Sequence, residues 1–206
     1  MTIDRHGLRV AQRACIWLGA AAVAYAGGTA VYAEIAHRHR SSTFDTARAA
    51  TTAIGAPERT ADLREGDTMG RLEIPRLGIS VMILHGTEDA TLTLGAGHVP
   101  ATSSPGGDGN VVLAAHRDTF FRKLEGIRAG DHIRIVTVGH TYEYVVESTE
   151  TVDPEDTRVM ESRARQELTL ITCFPFDFVG SAPKRFIVHA SPLGGRDGLE
   201  ASGVRK

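Results

Sequence analysis

Short apolar runs separated by turn residues fill the chain from about residue 67 to residue 193. Ile133–Val138 and Thr141–Glu147 alternate between apolar and polar positions, as strands with one buried face do, whereas Asn110–Ala115 is a continuous apolar run of the fully buried kind. Further strands are predicted at Arg71–Ile74, Ile79–Leu84, Glu167–Cys173 and Arg185–Ala190. Helical patterns in this region are weak and short. The pattern predicts a mainly all-β domain, a closed or nearly closed barrel with one or two short helices.

The N-terminal part of the chain differs, because Ala14–Ala33 is a run of 20 residues without a charge. A helix of that length reaches about 30 Å, the thickness of the hydrocarbon core of a bilayer. We therefore predict a transmembrane signal-anchor helix over residues 14–36. Two alternatives stay open: a cleavable signal peptide that ends at Val31-Tyr32-Ala33, and a soluble Ala-rich helix.

The segments that flank the β-rich domain are predicted as connections. Residues 37–66 are rich in Ala, Thr, Arg and Ser without sustained alternation, which indicates a linker between the anchor and the domain at residues 67–193, although short helical stretches around Ser42–Ala53 stay open. The small and polar residues 194–206 predict a flexible tail. Three arginines precede the uncharged run and three follow it within about 15 residues, so the positive-inside rule does not set its orientation.

Composition excludes several classes of function. The chain has 206 residues, a formal net charge of −2 and 6% aromatic residues, which argues against a nucleic-acid binder. Its two cysteines are too few for a disulfide-rich scaffold or a four-thiolate zinc site. The function must therefore be sought in local features.

One thiol stands out, because Cys173 ends an apolar run and Phe174-Pro175 follows it at once. A lone cysteine in such a place is more often a small buried hydrophobe. If the N-terminal run stays in a membrane, however, Cys15 cannot pair with it, and an unpaired thiol in an exported domain calls for an explanation. Arg185 begins the next strand. If the two strands pair antiparallel, its guanidinium lies opposite Cys173 and can favour a thiolate or hold an oxyanion; a solvated arginine at the barrel rim is the alternative.

His116 is the imidazole best placed to serve this thiol among the nine histidines of the chain. It follows the buried run Asn110–Ala115, so we expect it at a barrel rim where another strand end can bring Cys173 to it. Asp118 lies two residues further on. It is a possible orienting group for the imidazole, although a cap of the following turn is the simpler interpretation.

Longer blocks of sequence carry a family resemblance. Thr169-Leu170-Ile171-Thr172-Cys173 matches the TLxTC signature of the sortases, the cysteine transpeptidases of bacterial cell surfaces. The other matching blocks are Gly70–Pro75, Gly97–Pro100, Ser104–Gly107, Gly109–Phe121 and Pro175–Phe186. Together they cover nearly all of residues 67–193, and HRDTFF and PFDFVGSAPKRF look most like the class D branch.

The resemblance implies the eight-stranded sortase β-barrel, with Cys173 as the nucleophile, His116 as the general acid/base and Arg185 as the group that positions substrate and stabilises the tetrahedral intermediate. Thr172 is a candidate for substrate contacts, and His98 is interpreted as structural. The substrates would be exported proteins with a C-terminal sorting signal, and the acceptor an amine of the cell wall or of a pilin-like protein. No metal or organic cofactor is expected.

The resemblance also implies a location, since sortases meet their substrates outside the cytoplasmic membrane. Residues 1–13 would then lie in the cytoplasm and the barrel outside, as a single-pass membrane protein. Two other functions stay open. A cysteine endopeptidase would use the same three residues with water as the acceptor, and a non-catalytic surface-binding barrel would use none of them.

Overall fold

The computed structural model describes residues 5–54, 63–162 and 165–194. Within these ranges the chain forms eight strands, two α-helices and three short 3-10 helices. The strands are β1 (Thr68–Ile74), β2 (Ile79–His85), β3 (Ala96–His98), β4 (Asn110–Ala114), β5 (His132–Val136), β6 (Thr141–Val152), β7 (Glu167–Phe174) and β8 (Lys184–Pro192). The α-helices are α1 (Arg5–Ile54) and α2 (Asp89–Leu94), and the 3-10 helices are Pro75–Leu77, Arg122–Gly126 and Thr157–Met160.

The strands close into a barrel in the order β1-β2-β3-β4-β7-β8-β6-β5. Two neighbouring pairs are parallel, β2 with β3 and β4 with β7, and the other pairs are antiparallel. The predicted mainly all-β barrel is confirmed, and every predicted run lies within or overlaps a strand. The sequence analysis missed β3, because Ala96–His98 is too short to show a period.

Alternate residues of the strands fill the barrel interior, as the pleat of a β-strand requires. The fully buried side chains there include Leu72, Ile83, Leu113, Ile135, Leu170 and Val188. Phe121 and Leu124, in the segment that follows β4, enter the same core. The loop that carries His116 therefore rests on a packed base, and the backbone N–H of Phe121 donates to the His116 carbonyl at 3.1 Å.

A helix of 50 residues, α1, precedes the barrel and contains the predicted anchor at residues 14–36. Among the residues that the structure describes, no helix is both long enough and apolar enough to cross a membrane. The first part of the predicted linker, residues 37–54, is helical, because α1 continues to Ile54. Residues 55–62, and residues 195–206 of the predicted tail, lie outside the described residues.

The second half of α1 packs on the outer face of the barrel, which explains why a sequence without an apolar period stays helical. Phe44 is buried against Met82 and Leu84 of β2. Arg71 of β1 donates to the Asp45 carboxylate at 2.7 Å, and its guanidinium lies 5.5 Å from the centre of the Phe44 ring. These contacts lie on β1 and β2. In the order of the eight strands, β1 stands across the barrel from β7.

Phe44→Ala is expected to lower the free energy of unfolding of the full chain by about 2–4 kcal/mol, because it removes the aromatic side chain that α1 buries against the barrel. Urea denaturation followed by circular dichroism measures the change. Thr43→Ala is the matched control, since Thr43 is the exposed neighbour on the same helix, and it should change stability by less than about 0.5 kcal/mol. Equal stability of the two variants would show that α1 does not depend on this contact.

Candidate active site

The order of the strands brings the three predicted catalytic residues into one row. β7 lies between β4 and β8 in the barrel. Cys173 of β7 pairs directly with Arg185 of β8, as the sequence predicted for an antiparallel pair. On the other side, Ala114 of β4 pairs with Ile171 of β7 in parallel register. His116 and Cys173 both lie two residues beyond that pair, so they lie side by side on neighbouring segments of the sheet. The backbones of neighbouring strands are about 4.8 Å apart.

All three side chains belong to the outer face of the barrel. The interior positions of β4 and β7 are Leu113 and Leu170 with their alternate neighbours, so His116 and Cys173 have the opposite parity. Arg185 shares the outer face, because it is paired with Cys173. His116 is exposed, whereas Cys173 and Arg185 are half-buried. A molecule that lies on the outer face can therefore reach all three.

Thr172 fixes the register of the two strands that carry the thiol and the imidazole. Its hydroxyl donates to the Ala115 carbonyl at 2.8 Å, and the Ala115 N–H donates to the Ile171 carbonyl at 3.2 Å. These bonds carry the pairing of β4 with β7 to the residue before His116. Thr172 is 2% exposed, so the observed role of its side chain is structural. A direct contact between Thr172 and substrate stays a prediction.

Arg185 is held in place by the backbone of its own loop. Its Nη1 donates to the carbonyl of Ala182 at 3.3 Å and to that of Lys184 at 3.0 Å. Both bonds use the same nitrogen. The Nε and Nη2 donors are therefore the ones that remain to meet an oxygen of a molecule bound beside Cys173.

Asp118 pairs with an arginine. Its exposed carboxylate accepts from Nε of Arg117 at 3.1 Å. The 3-10 helix Arg122–Gly126 has Phe121 as its N-cap, without a side-chain hydrogen bond, so the structure does not give Asp118 a capping role there. Its possible role in orienting His116 stays a prediction.

The connection between β6 and β7 forms an apolar wall beside the row. Val159, in the 3-10 helix Thr157–Met160, packs on Val152 and Ile187, with Ile171 next to them. The Asn110 side chain donates to the Val159 carbonyl at 3.1 Å and accepts from the Thr169 hydroxyl at 2.9 Å. This network ties the wall to the outer faces of β4 and β7.

The structure gives the acidic residues after β6 ordinary partners. Asp153 accepts from Nζ of Lys184 at 2.7 Å, and Asp156 begins the 3-10 helix at Thr157 by accepting from the Arg158 N–H at 3.2 Å. Arg158 lowers the pKa of Asp156 by hydrogen bonding to its carboxylate. Among the described residues, no group of three or more His, Cys, Asp or Glu side chains is arranged to hold a metal ion.

His98 is buried, at 1% exposure, and is separate from the row of His116, Cys173 and Arg185. Its Nε2 is 2.9 Å from the Ser103 carbonyl, and its ring lies 5.7 Å from that of His85 on the neighbouring strand. Burial lowers the pKa of His98, and the nearby His85 contributes in the same direction, although the bond to Ser103 opposes them. His98 thus acts as a neutral group that holds the segment between β3 and β4, in line with its structural interpretation.

A thiol, an imidazole and a guanidinium in one row on an open face are the groups that cysteine-dependent acyl transfer uses. The comparisons with known proteins agree with this class. The family profile described as Sortase domain matches residues 72–193, so the chain belongs to the sortase family. The chain is 37% identical to sortase D of Bacillus subtilis over 125 residues, which are 60% of this chain and 63% of that protein. It therefore spans less than two thirds of the length of that relative.

Solved structures show the same fold. A sortase D5 transpeptidase of Clostridium perfringens superposes with a TM-score of 0.62 at 23% identity, over 78% of this chain and 98% of the other; at that identity the likeness concerns the fold alone. Sortase C1 of Streptococcus agalactiae superposes with a TM-score of 0.60 at 28% identity, over 67% of this chain and 74% of the other.

Two features of the site were missed by the sequence analysis. Asn110 and Thr169 bond to each other across β4 and β7, and Arg117 is buried beside the row although arginine is normally a surface residue. Their partners are largely backbone carbonyls, which leave no mark in a sequence. An arginine directly after the candidate histidine was the one available signal.

The free energy of unfolding should decrease as the pH falls, because of His98. Its pKa is lowered in the folded state, so the unfolded chain takes up the proton first; the contribution is complete above about pH 6.5 and is lost as the pH falls toward the folded-state pKa. Urea denaturation at pH 7.5 and 5.5 measures this loss, which His98→Asn should reduce. The control is His132→Asn, at an exposed histidine on β5, which should keep the wild-type loss. The interpretation fails if His98→Asn also keeps it.

Proposed function

We propose that this protein is a cysteine transpeptidase that cleaves a C-terminal sorting signal and joins the new carboxyl end to an amine. The observation that carries the proposal is the row formed by His116, Cys173 and Arg185 on the outer face of the barrel, on or just beyond the neighbouring strands β4, β7 and β8. The sortase relatives and structures support the same reaction. The substrates would be exported proteins, and the acceptor an amine of the cell wall or of a pilin-like protein.

In the first step, the Cys173 thiolate attacks a backbone carbonyl of the sorting signal, and the carbonyl oxygen becomes negatively charged. The Arg185 donors on Nε and Nη2 stabilise that oxyanion and hold the carbonyl at the sulfur. The cationic form of His116 then protonates the leaving amine. The C–N bond breaks, the C-terminal fragment leaves, and an acyl-thioester joins the substrate to Cys173.

In the second step, an amine attacks the thioester. His116, now neutral, accepts the proton of the amine, and the thiolate of Cys173 leaves as the new amide bond forms. Because His116 is exposed, an acceptor can approach from solvent on the side away from the wall. Water at the same place would give hydrolysis, which is the endopeptidase alternative.

Intact-mass spectrometry of the full chain, incubated with LPxTG-type peptides and a simple amine, tests the reaction. We expect a peptide product joined to the amine, and an acyl-enzyme adduct on Cys173 when the amine is left out. Cys173→Ala and His116→Ala should each lower the rate at least about 10³-fold, and Arg185→Ala about 10²- to 10³-fold.

Cys15→Ser is the matched control for the thiol, because Cys15 is the other free cysteine and lies on α1. It should retain the full rate. Cleavage that gives only the free acid at high amine concentration would establish the endopeptidase instead. A product that Cys173→Ala still forms would contradict both enzymatic alternatives.

We further propose that residues 14–36 anchor the protein in the cytoplasmic membrane as a single span, with residues 1–13 inside and the barrel outside. This part rests on the 20-residue uncharged run of the sequence and on where sortases meet their substrates. Residues 37–54, as the continuation of α1, would form a helical spacer to the barrel.

A labelling experiment in bacterial cells tests the location. In the Cys15→Ser variant, Cys173 is the only thiol, so a membrane-impermeant maleimide should label it in intact cells, and the protein should stay in the membrane pellet after a carbonate wash. Ala21→Arg with Val23→Arg places two charges in the run and should release the protein from the pellet. Protection of Cys173 until the cells are lysed would contradict the proposed orientation.

A further inference from the structure

Arg117 follows His116 directly and is almost completely removed from water. Its side chain is 6% exposed, whereas that of its ion-pair partner Asp118 is 71% exposed. A buried guanidinium must find partners for its donors, because an unpaired charge away from water is costly. The partners of Arg117 therefore show what the residue does.

Two of these partners are backbone carbonyls of the loop between β7 and β8. Nη1 donates to the Pro175 carbonyl at 2.8 Å, and Nη2 donates to the Gly180 carbonyl at 3.3 Å. The Arg117 guanidinium thus links the segment after β4, which carries His116, to the loop after β7, the strand that carries Cys173. Arg117 is adjacent to His116, and its partner Pro175 lies two residues after Cys173.

The rest of the loop has its own attachments, so Arg117 is not what folds it. Phe176 is buried, and its ring packs edge-on against Phe186 with the ring centres 5.2 Å apart. Arg122 donates to the Phe176 carbonyl. In contrast, the residues from Asp177 to Ser181 are exposed, and the Arg117 bond to Gly180 falls within this stretch.

We propose that Arg117 is a positioning residue for the transpeptidation described above, on which this inference rests. It clamps the loop after Cys173 to the segment that bears His116 and so sets the distance between imidazole and sulfur beyond the last bond between β4 and β7. The parallel pairing of β4 with β7 ends at the hydrogen bonds of Ala115, one residue before His116. Beyond it, the two segments are joined by the bonds from the Arg117 guanidinium to the carbonyls of Pro175 and Gly180. A displacement of about 1 Å at this point is enough to lower a catalytic rate on the order of 10²-fold.

Steady-state kinetics of the full chain in the Cys15→Ser background, with the peptide and amine that the wild type joins, test the role. Arg117→Ala should lower kcat about 10- to 100-fold and change the peptide KM less than about threefold, because the clamp acts on the reacting groups after the peptide has bound. Arg117→Lys keeps the charge and can reach one of the two carbonyls, so it should recover part of kcat.

Arg48→Ala is the matched control. Arg48 also donates from Nη1 to a loop carbonyl, that of Thr137 at 3.2 Å, but it lies on α1, away from the catalytic row. It should leave kcat unchanged. The thermal unfolding temperature of Arg117→Ala should lie at most a few degrees below that of Arg48→Ala. A kcat equal to wild type, or a loss of kcat that merely follows the unfolded fraction, would overturn the proposal.

A second measurement needs no peptide, so it separates this proposal from the proposed function. The rate at which iodoacetamide alkylates Cys173 is recorded against pH in the Cys15→Ser background. Arg117→Ala should change the shape of this profile, whereas Arg48→Ala should not, because only the first alters the placement of imidazole and thiol. An unchanged profile overturns the clamp even if transpeptidation is established. A changed profile in a protein that joins no tested peptide supports the clamp and counts against the proposed reaction.

Discussion

The parallel pairing of β4 with β7 is the constraint on which the site depends. His116 lies two residues beyond the end of β4 and Cys173 is the penultimate residue of β7, and the proposed reaction needs both at the same level of the sheet. A slip of one residue would turn His116 or Cys173 toward the barrel interior, because strand side chains alternate with a period of two. The hydroxyl of Thr172, bonded to the Ala115 carbonyl, prevents that slip at the last pair of residues. A side chain buried under the site thus controls the geometry above it.

The neighbouring strands follow from this arrangement. β8 pairs antiparallel with β7, so the residue that begins β8 lies beside the residue near the end of β7, and Arg185 meets Cys173 without any long-range adjustment. The connection from β6 to β7 crosses the outer face and is tied there by Asn110. It covers the apolar outer side of β7 and β8 and stops short of the thiol. The sheet of the barrel therefore carries His116, Cys173 and Arg185 as well as the strand residues on which the apolar wall packs.

An element could be predicted when the residues that stabilise it lie close to it in sequence. Strand runs with a clear period were recognised, and the pairing of Cys173 with Arg185 was predicted because a single loop joins the two strands. The three residues of β3 carry no period, and they are strand only because β2 and β4 lie on either side. The second half of α1 was predicted as a linker, since the surface on which Phe44 packs is formed by strands that come later in the chain.

The same distinction separates the predicted site residues from Arg117. A thiol, an imidazole and a guanidinium at strand ends have a chemical signature that is visible in the residues themselves. A clamp has none, because its partners are the carbonyls of Pro175 and Gly180, which every residue possesses. What identifies it is burial without an obvious reason. Arginine is rarely buried unless it is paired, and an arginine whose donors bond to two carbonyls of one loop constrains the shape of that loop. On the far side of the barrel, where α1 packs, the bond between Arg48 and the Thr137 carbonyl holds a helix and carries no such consequence for the reactive row.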